Sequence, residues 1–154
     1  MTNDLGFDAC INYKTAKLGA EIDDACPSGI DVYIENVGGD VGDMVFRRLN
    51  RHARVALIGL IAQYNDRKHH HGPDLSTVLY NRVTVRGMIV GDHNNRRDEF
   101  VRDVGGWLCE GKLKYRETIV DGIENAPAAF IGMFRGENIG KLLVRCADDV
   151  TKMV

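Results

Sequence analysis

Residues 30–37 read IDVYIENV and run directly into Gly38-Gly39. Val, Ile and Tyr dominate this stretch, as suits a pleated, partly buried strand, and the glycine pair ends it. Beyond the glycines, Val41, Met44, Val45 and Leu49 recur at helical spacing. Next, residues 54–61 read RVALIGLI, a nearly unbroken apolar run of the kind found in parallel strands covered on both faces. Strand, helix, strand in this order predicts a parallel β-α-β unit, and the rest of the chain is read outward from it.

Upstream, Ala9–Tyr13 is expected as a short strand. Thr15 is expected to cap a helix carrying Leu18, Ile22 and Ala25 that stops before Pro27. Downstream, Asp74 is expected to start a short helix with Leu75, Val78 and Leu79, followed by a strand over Thr84–Val90. The strongest helical periodicity lies in Asn95–Gly111, where Phe100, Val101, Val104, Trp107 and Leu108 share one face. That face is expected in a core, Trp107 with it. The last third predicts a strand (Lys114–Val120), a helix (Ala126–Arg135) and a strand (Lys141–Cys146), with Asn125 and Gly136 as the helix caps.

Composition narrows the class of protein. Twenty basic against 22 acidic residues give a formal charge of −2, so bulk charge attracts neither nucleic acid nor a membrane surface. No apolar run reaches the roughly 18 residues of a membrane span. Met1–Asp8 is polar and acidic, unlike a secretory signal. The scattered cysteines Cys10, Cys26, Cys109 and Cys146 form no Cys-x-x-Cys pair and are read as reduced thiols of a cytoplasmic protein. Cys10, Cys109 and Cys146 lie in apolar patterns and are expected as small core residues.

In parallel sheets, ligands bind at the carboxyl ends of the strands. Here these are Asn36–Gly39, Gly59–Asn65 and Met88–Asp92. Val37-Gly38-Gly39-Asp40-Val41-Gly42 resembles a dinucleotide fingerprint but has Val37 where the first glycine belongs. Asp40 would set a carboxylate where a pyrophosphate should sit, so the segment reads as a tight turn with an acidic cap. His69-His70-His71 point three ways from adjacent positions and read as a solvated loop, and His52 and His93 sit in polar loops. No metal site is expected. Tyr64 can offer a phenolic hydrogen bond from a strand's carboxyl end, although a structural tyrosine fits the same pattern.

The strings GFDACINYKT (6–15), GIDVYIENVGG (29–39), GLIAQYN (59–65) and GKLKYRETIVDGIENAPAAFIGMFRGENIGKLLV (111–144) resemble the zinc-independent medium-chain dehydrogenase/reductases. The branch they are most similar to holds the NADPH-dependent prostaglandin, alkenal and curcumin reductases. The resemblance implies an α/β fold: an incomplete Rossmann sheet, doubly wound and parallel, lacking its first two strands. It also implies a carboxyl-terminal strand-helix-strand that would return to a GroES-like catalytic domain. The implied divisions are 5–111, a partial NADP-binding domain; 112–147, a segment between the two domains; and 148–154, a tail.

The same resemblance implies NADP(H) contacts at Tyr13, Asn36, Ile58, Gly59, Leu60, Ile61, Tyr64, Met88, Ile89, Val90 and Asn138, with Tyr64 also polarising a substrate carbonyl. The implied reaction reduces the C=C bond of an enone or enal. The glycine-rich phosphate loop and the basic residue for the 2′-phosphate find no counterpart in the chain, so alone it is expected to bind the nucleotide weakly and to turn over little. The loop Asp66–Gly72 also departs from the family pattern. A homodimer through the sheet edge at Val85–Val90 is expected. The alternatives are a non-catalytic interaction module and a related quinone reductase.

Overall fold

The computed structural model describes residues 2–15, 17–64 and 72–147. They fall into two compact units, Met1–Asp98 and Glu99–Val154.

After a short α1 (Thr2–Leu5), the first unit contains α2 (Leu18–Ala25), β1 (Ile30–Glu35), α3 (Gly39–Phe46), β2 (Leu49–Leu57), α4 (Leu75–Asn81) and β3 (Thr84–Gly87). The strands form one three-stranded sheet in the order β1-β2-β3, parallel throughout. Tyr33 pairs with Val55, which pairs in turn with Val85. Because strand side chains alternate, Ala53 and Val55 face inward and are buried, whereas Val32 and Ile34 lie on the other side and are exposed. The core joins Ile22, Val45, Phe46, Leu49, Ala53, Val55 and Val83, with Tyr33 edge-on to Phe46 at 6.4 Å. Each large member contributes about 1.5–3 kcal/mol of burial.

Arg48, just after α3, fastens the helices together. Its Nε and Nη2 donate to the Asp23 carboxylate at 2.6 and 2.8 Å, and Nη2 also reaches the Gly19 carbonyl at 2.9 Å. The hydrogen bond from Arg48 holds the Asp23 carboxyl below its ordinary range, outweighing the smaller opposing effect of burial. Asp74 caps α4 as expected, accepting the Ser76 N–H at 2.8 Å, which lowers its carboxyl pKa too.

Several expectations change in this unit. Ala9–Tyr13 is not a strand, because no described strand pairs with it and β1 is left as a sheet edge. Thr15 does not cap α2; its hydroxyl is bonded to Glu21 Oε1 instead, at 3.0 Å, and Lys17 holds the cap position. Leu49 begins β2 rather than continuing α3, and a bulge follows in which His52 has φ 65°. β3 stops at Gly87, where the chain leaves the ladder. Cys10 is exposed and Cys26 half-buried.

The second unit contains most of α5 (Arg97–Cys109), then β4 (Glu117–Asp121), α6 (Ala126–Arg135) and β5 (Lys141–Arg145). β4 and β5 pair in parallel from Glu117–Lys141 to Asp121–Arg145. Thr118 clasps the pair: its Oγ1 donates to the Ile139 carbonyl at 2.9 Å and accepts the Ile139 N–H at 3.0 Å. α6 has the expected bounds, and Gly136 closes it in the left-handed region. Asn125 occupies the N-cap, but its side chain donates to the Asp121 carbonyl rather than capping the helix. Trp107, Cys109 and Cys146 are exposed rather than core, since the apolar faces that carry them are uncovered in this unit. The two cysteines are free thiols, as is Cys10.

Candidate functional site

The turns that follow β1 and β2 are bound to one another. The Glu35 carbonyl accepts both the Ile58 N–H (2.9 Å) and the Gly59 N–H (3.3 Å). The Asn36 carbonyl accepts the Ile61 N–H at 3.3 Å, and that of Val37 the Ala62 N–H at 2.9 Å. Met88, leaving β3, donates its N–H to the Leu57 carbonyl at 2.9 Å. The carboxyl ends of three neighbouring strands therefore bring Asn36, Ile58–Tyr64 and Met88 to one rim of the sheet. Asn36 Oδ1 lies where a side chain at Gly59 would begin, so any larger residue there would displace the Asn36 amide.

Tyr64 follows a single 3₁₀ turn, Ile61–Gln63, and is 70% exposed, so its phenol is available to a ligand. Ile89 and Val90, just beyond β3, are also strongly exposed. Tyr13 is exposed on the loop before α2. Asn138 belongs to the second unit, where its amide donates to the Gly140 carbonyl at 2.8 Å. His69-His70-His71 lie outside the described residues.

Sequence reasoning overlooked Glu35. This carboxylate is 3% exposed, and its Oε1 accepts the N–H groups of Val37 (2.7 Å) and Gly38 (2.8 Å). It thereby occupies the backbone donors ahead of α3 that a phosphate would need, an independent reason why the glycine turn is no phosphate loop. Burial raises the Tyr33 hydroxyl pKa well above its ordinary value, and the neighbouring Glu35 charge and hydrogen bond add to the shift. The strand carries two acids, Asp31 and Glu35, and nothing in the sequence singled out the second.

A parallel α/β unit with an asparagine, a glycine-containing loop and a tyrosine at its carboxyl rim is a nucleotide-binding class of architecture. The family described as zinc-binding dehydrogenase matches residues 1–104, and the chain belongs to it, corresponding to the carboxyl-terminal, Rossmann-like part of the medium-chain dehydrogenase/reductases. It is 44% identical over 154 residues to the NADPH-dependent curcumin reductase of Escherichia coli, covering 96% of this chain and 45% of that protein. With prostaglandin reductase 1 of Bos taurus it shares 36% over 143 residues, covering 91% of this chain and 44% of that one.

Among solved structures, CurA of Vibrio vulnificus in complex with NADPH is 42% identical, with a TM-score of 0.88 over 96% of this chain and 46% of that one. The chain thus spans slightly under half the length of these relatives. Despite the family's description, no group of three or more His, Cys, Asp or Glu among the described residues could hold a metal ion. Nor is any helix among them long and apolar enough to cross a membrane.

Proposed function

We propose that this chain supplies the nicotinamide side of an NADPH site in an oxidoreductase that reduces the C=C bond of α,β-unsaturated ketones and aldehydes. The observation that carries the reading is the shared rim: Asn36, the Ile58–Tyr64 loop and Met88 meet at the carboxyl ends of parallel strands, in a chain 42% identical to a relative solved with NADPH. Bound NADPH would supply the hydride. Asn36, Ile58, Gly59, Leu60 and Ile61 would flank the nicotinamide ribose and ring, and the backbone of Met88, Ile89 and Val90 would hold the carboxamide. Tyr13 and Asn138 would contribute more distant contacts, Tyr13 towards the adenosine end.

Tyr64 would donate its phenolic hydrogen bond to the substrate carbonyl oxygen, where negative charge grows as hydride adds to the β-carbon. Residues 112–147 would link the nucleotide-binding and catalytic parts of the enzyme. β3 is an edge strand followed by the exposed Ile89 and Val90, which supports pairing of two copies along Val85–Val90. Light scattering of a concentration series tests that pairing, and a strictly monomeric chain would overturn it.

A nuclear magnetic resonance titration of the 154-residue chain with NADPH tests the site. Weak, millimolar binding is expected, since the pyrophosphate has no glycine-rich cradle among the described residues, together with shifts at the amides of Asn36, Gly59 and Val90. Shifts confined to other residues, or none at saturating nucleotide, would overturn the assignment. In the whole enzyme, Tyr64→Phe is expected to lower kcat for enones; unchanged turnover would remove Tyr64 from the reaction.

A further inference from the structure

Asn36 is exposed at the rim, and among the described residues its side-chain amide makes no hydrogen bond. Its place is therefore set by the backbone on either side of it and by the bare Cα of Gly59, over which its Oδ1 lies. That backbone is held at every step. The carbonyls of Glu35, Asn36 and Val37 accept N–H groups from Ile58, Gly59, Ile61 and Ala62, which ties the turn to the loop carrying Tyr64.

The other grip on the turn is the Glu35 side chain. Its Oε1 accepts the N–H groups of Val37 and Gly38, the two residues that follow Asn36, at 2.7 and 2.8 Å. Glu35 also shares a hydrogen bond with the Tyr33 hydroxyl, and the Tyr33 ring stands edge-on to the buried Phe46. One residue thus joins the core to the rim, with its carboxylate inside and its carbonyl on the neighbouring loop. Burying a carboxylate is costly unless its oxygens are well bonded, and bonds from N–H groups to an ionised acceptor are the strong kind. Space is kept for it as well, since a side chain at Gly42 in α3 would run into Oε2.

We infer that Glu35 is a positioning residue of the rim: its buried carboxylate fixes the turn that aims the Asn36 amide over Gly59. The consequence for the nucleotide rests on the NADPH reading above, in which Asn36 and Gly59 flank the nicotinamide. Glu35 itself touches no substrate or cofactor and acts through Asn36.

The test follows chemical shifts of the 154-residue chain, first without nucleotide and then with NADPH added. Glu35→Ala leaves the Val37 and Gly38 N–H groups without their acceptor. It is expected to move the amides of Asn36, Ile58, Gly59 and Ile61, while nuclear Overhauser contacts between β1 and β2 persist. The initial slope of the NADPH-induced shifts at Asn36 and Gly59 is expected to fall at least about threefold, because orientation of the contact is lost. Glu35→Gln keeps the shape and an acceptor oxygen, and its slopes are expected to stay within about twofold of the unsubstituted chain. Should Glu35→Ala not fold, Gly42→Ala presses on the carboxylate from within α3 and is expected to move the same amides by a smaller amount. Rim amides or slopes that stay unchanged in the folded variant, or an equal loss with Gln and with Ala at 35, would overturn the assignment. An unsubstituted chain that ignores NADPH while its rim amides follow Glu35 would remove the NADPH reading and leave the hold on Asn36 in place.

Discussion

The two units are built from the same elements and held by different forces. In Met1–Asp98 three parallel strands pack under helices around Phe46, Leu49, Ala53 and Val55, all nearly inaccessible to water. In Glu99–Val154 no described hydrophobic residue is buried, although β4, α6 and β5 are regular. Phe130 and Phe134 meet edge-on at 5.0 Å, yet both are more than half exposed. The second unit relies on its parallel ladder, the Thr118 clasp and the exposed Arg145–Asp121 pair at 3.0 Å. Secondary structure can thus be complete where burial is not, and stability should follow burial.

The largest contrast is expected from matched phenylalanine truncations. Phe46→Ala should cost about 3–5 kcal/mol in the first unit, whereas Phe130→Ala should cost about 1 kcal/mol or less in the second. Amide exchange in β2 and β5 measures each unit separately. The sole tryptophan, Trp107, lies in the second unit, so its fluorescence in denaturant should report an earlier transition than β2 exchange does. Coincident transitions and equal costs would break the comparison.

An intermediate effect is expected from Thr118→Val, which keeps the side-chain shape but removes both bonds to Ile139. A loss of roughly 1 kcal/mol, read in β4 and β5 exchange, would show that polar contacts carry the second unit. No change would assign its stability to the ladder alone.

The smallest effect concerns acid. Asp23 has its carboxyl pKa lowered by Arg48, so its contribution is present above the unfolded value, near 3.9, and fades as pH falls through the lower folded value. The group is well exposed and its pairing modest. Asp23→Asn is expected to flatten the acid limb of first-unit stability while leaving the second unit unchanged, as measured by denaturation at a series of pH values.

Much of this arrangement was legible in the chain. IDVYIENV and RVALIGLI pair in parallel as read, although the strands end at Glu35 and Leu57 and the second starts earlier, at Leu49; Ala126–Arg135 is helical over its expected length, because β-branched runs, spacing and terminal glycine are local signals. The exposure of Trp107 was not legible. Helical spacing tells which side of α5 is suited to a core but nothing about what covers it. The bulge at His52 and the bond from Thr15 to Glu21 depend on neighbours brought together by folding, so no window of sequence could reveal them. Of the rim, the strand ends were readable from apolar runs that stop at polar or glycine residues. Glu35 was not, since its partners are backbone groups.

Positions 35 and 42 are bound together by space. With glycine at 42, a glutamate at 35 can lie flat beneath the start of α3; with alanine there, the added carbon meets that carboxylate. Each residue therefore sets the substitutions permitted to the other. Chains that descend from this one should change the pair jointly, a larger residue at 42 accompanying a shorter acid at 35, or leave both untouched.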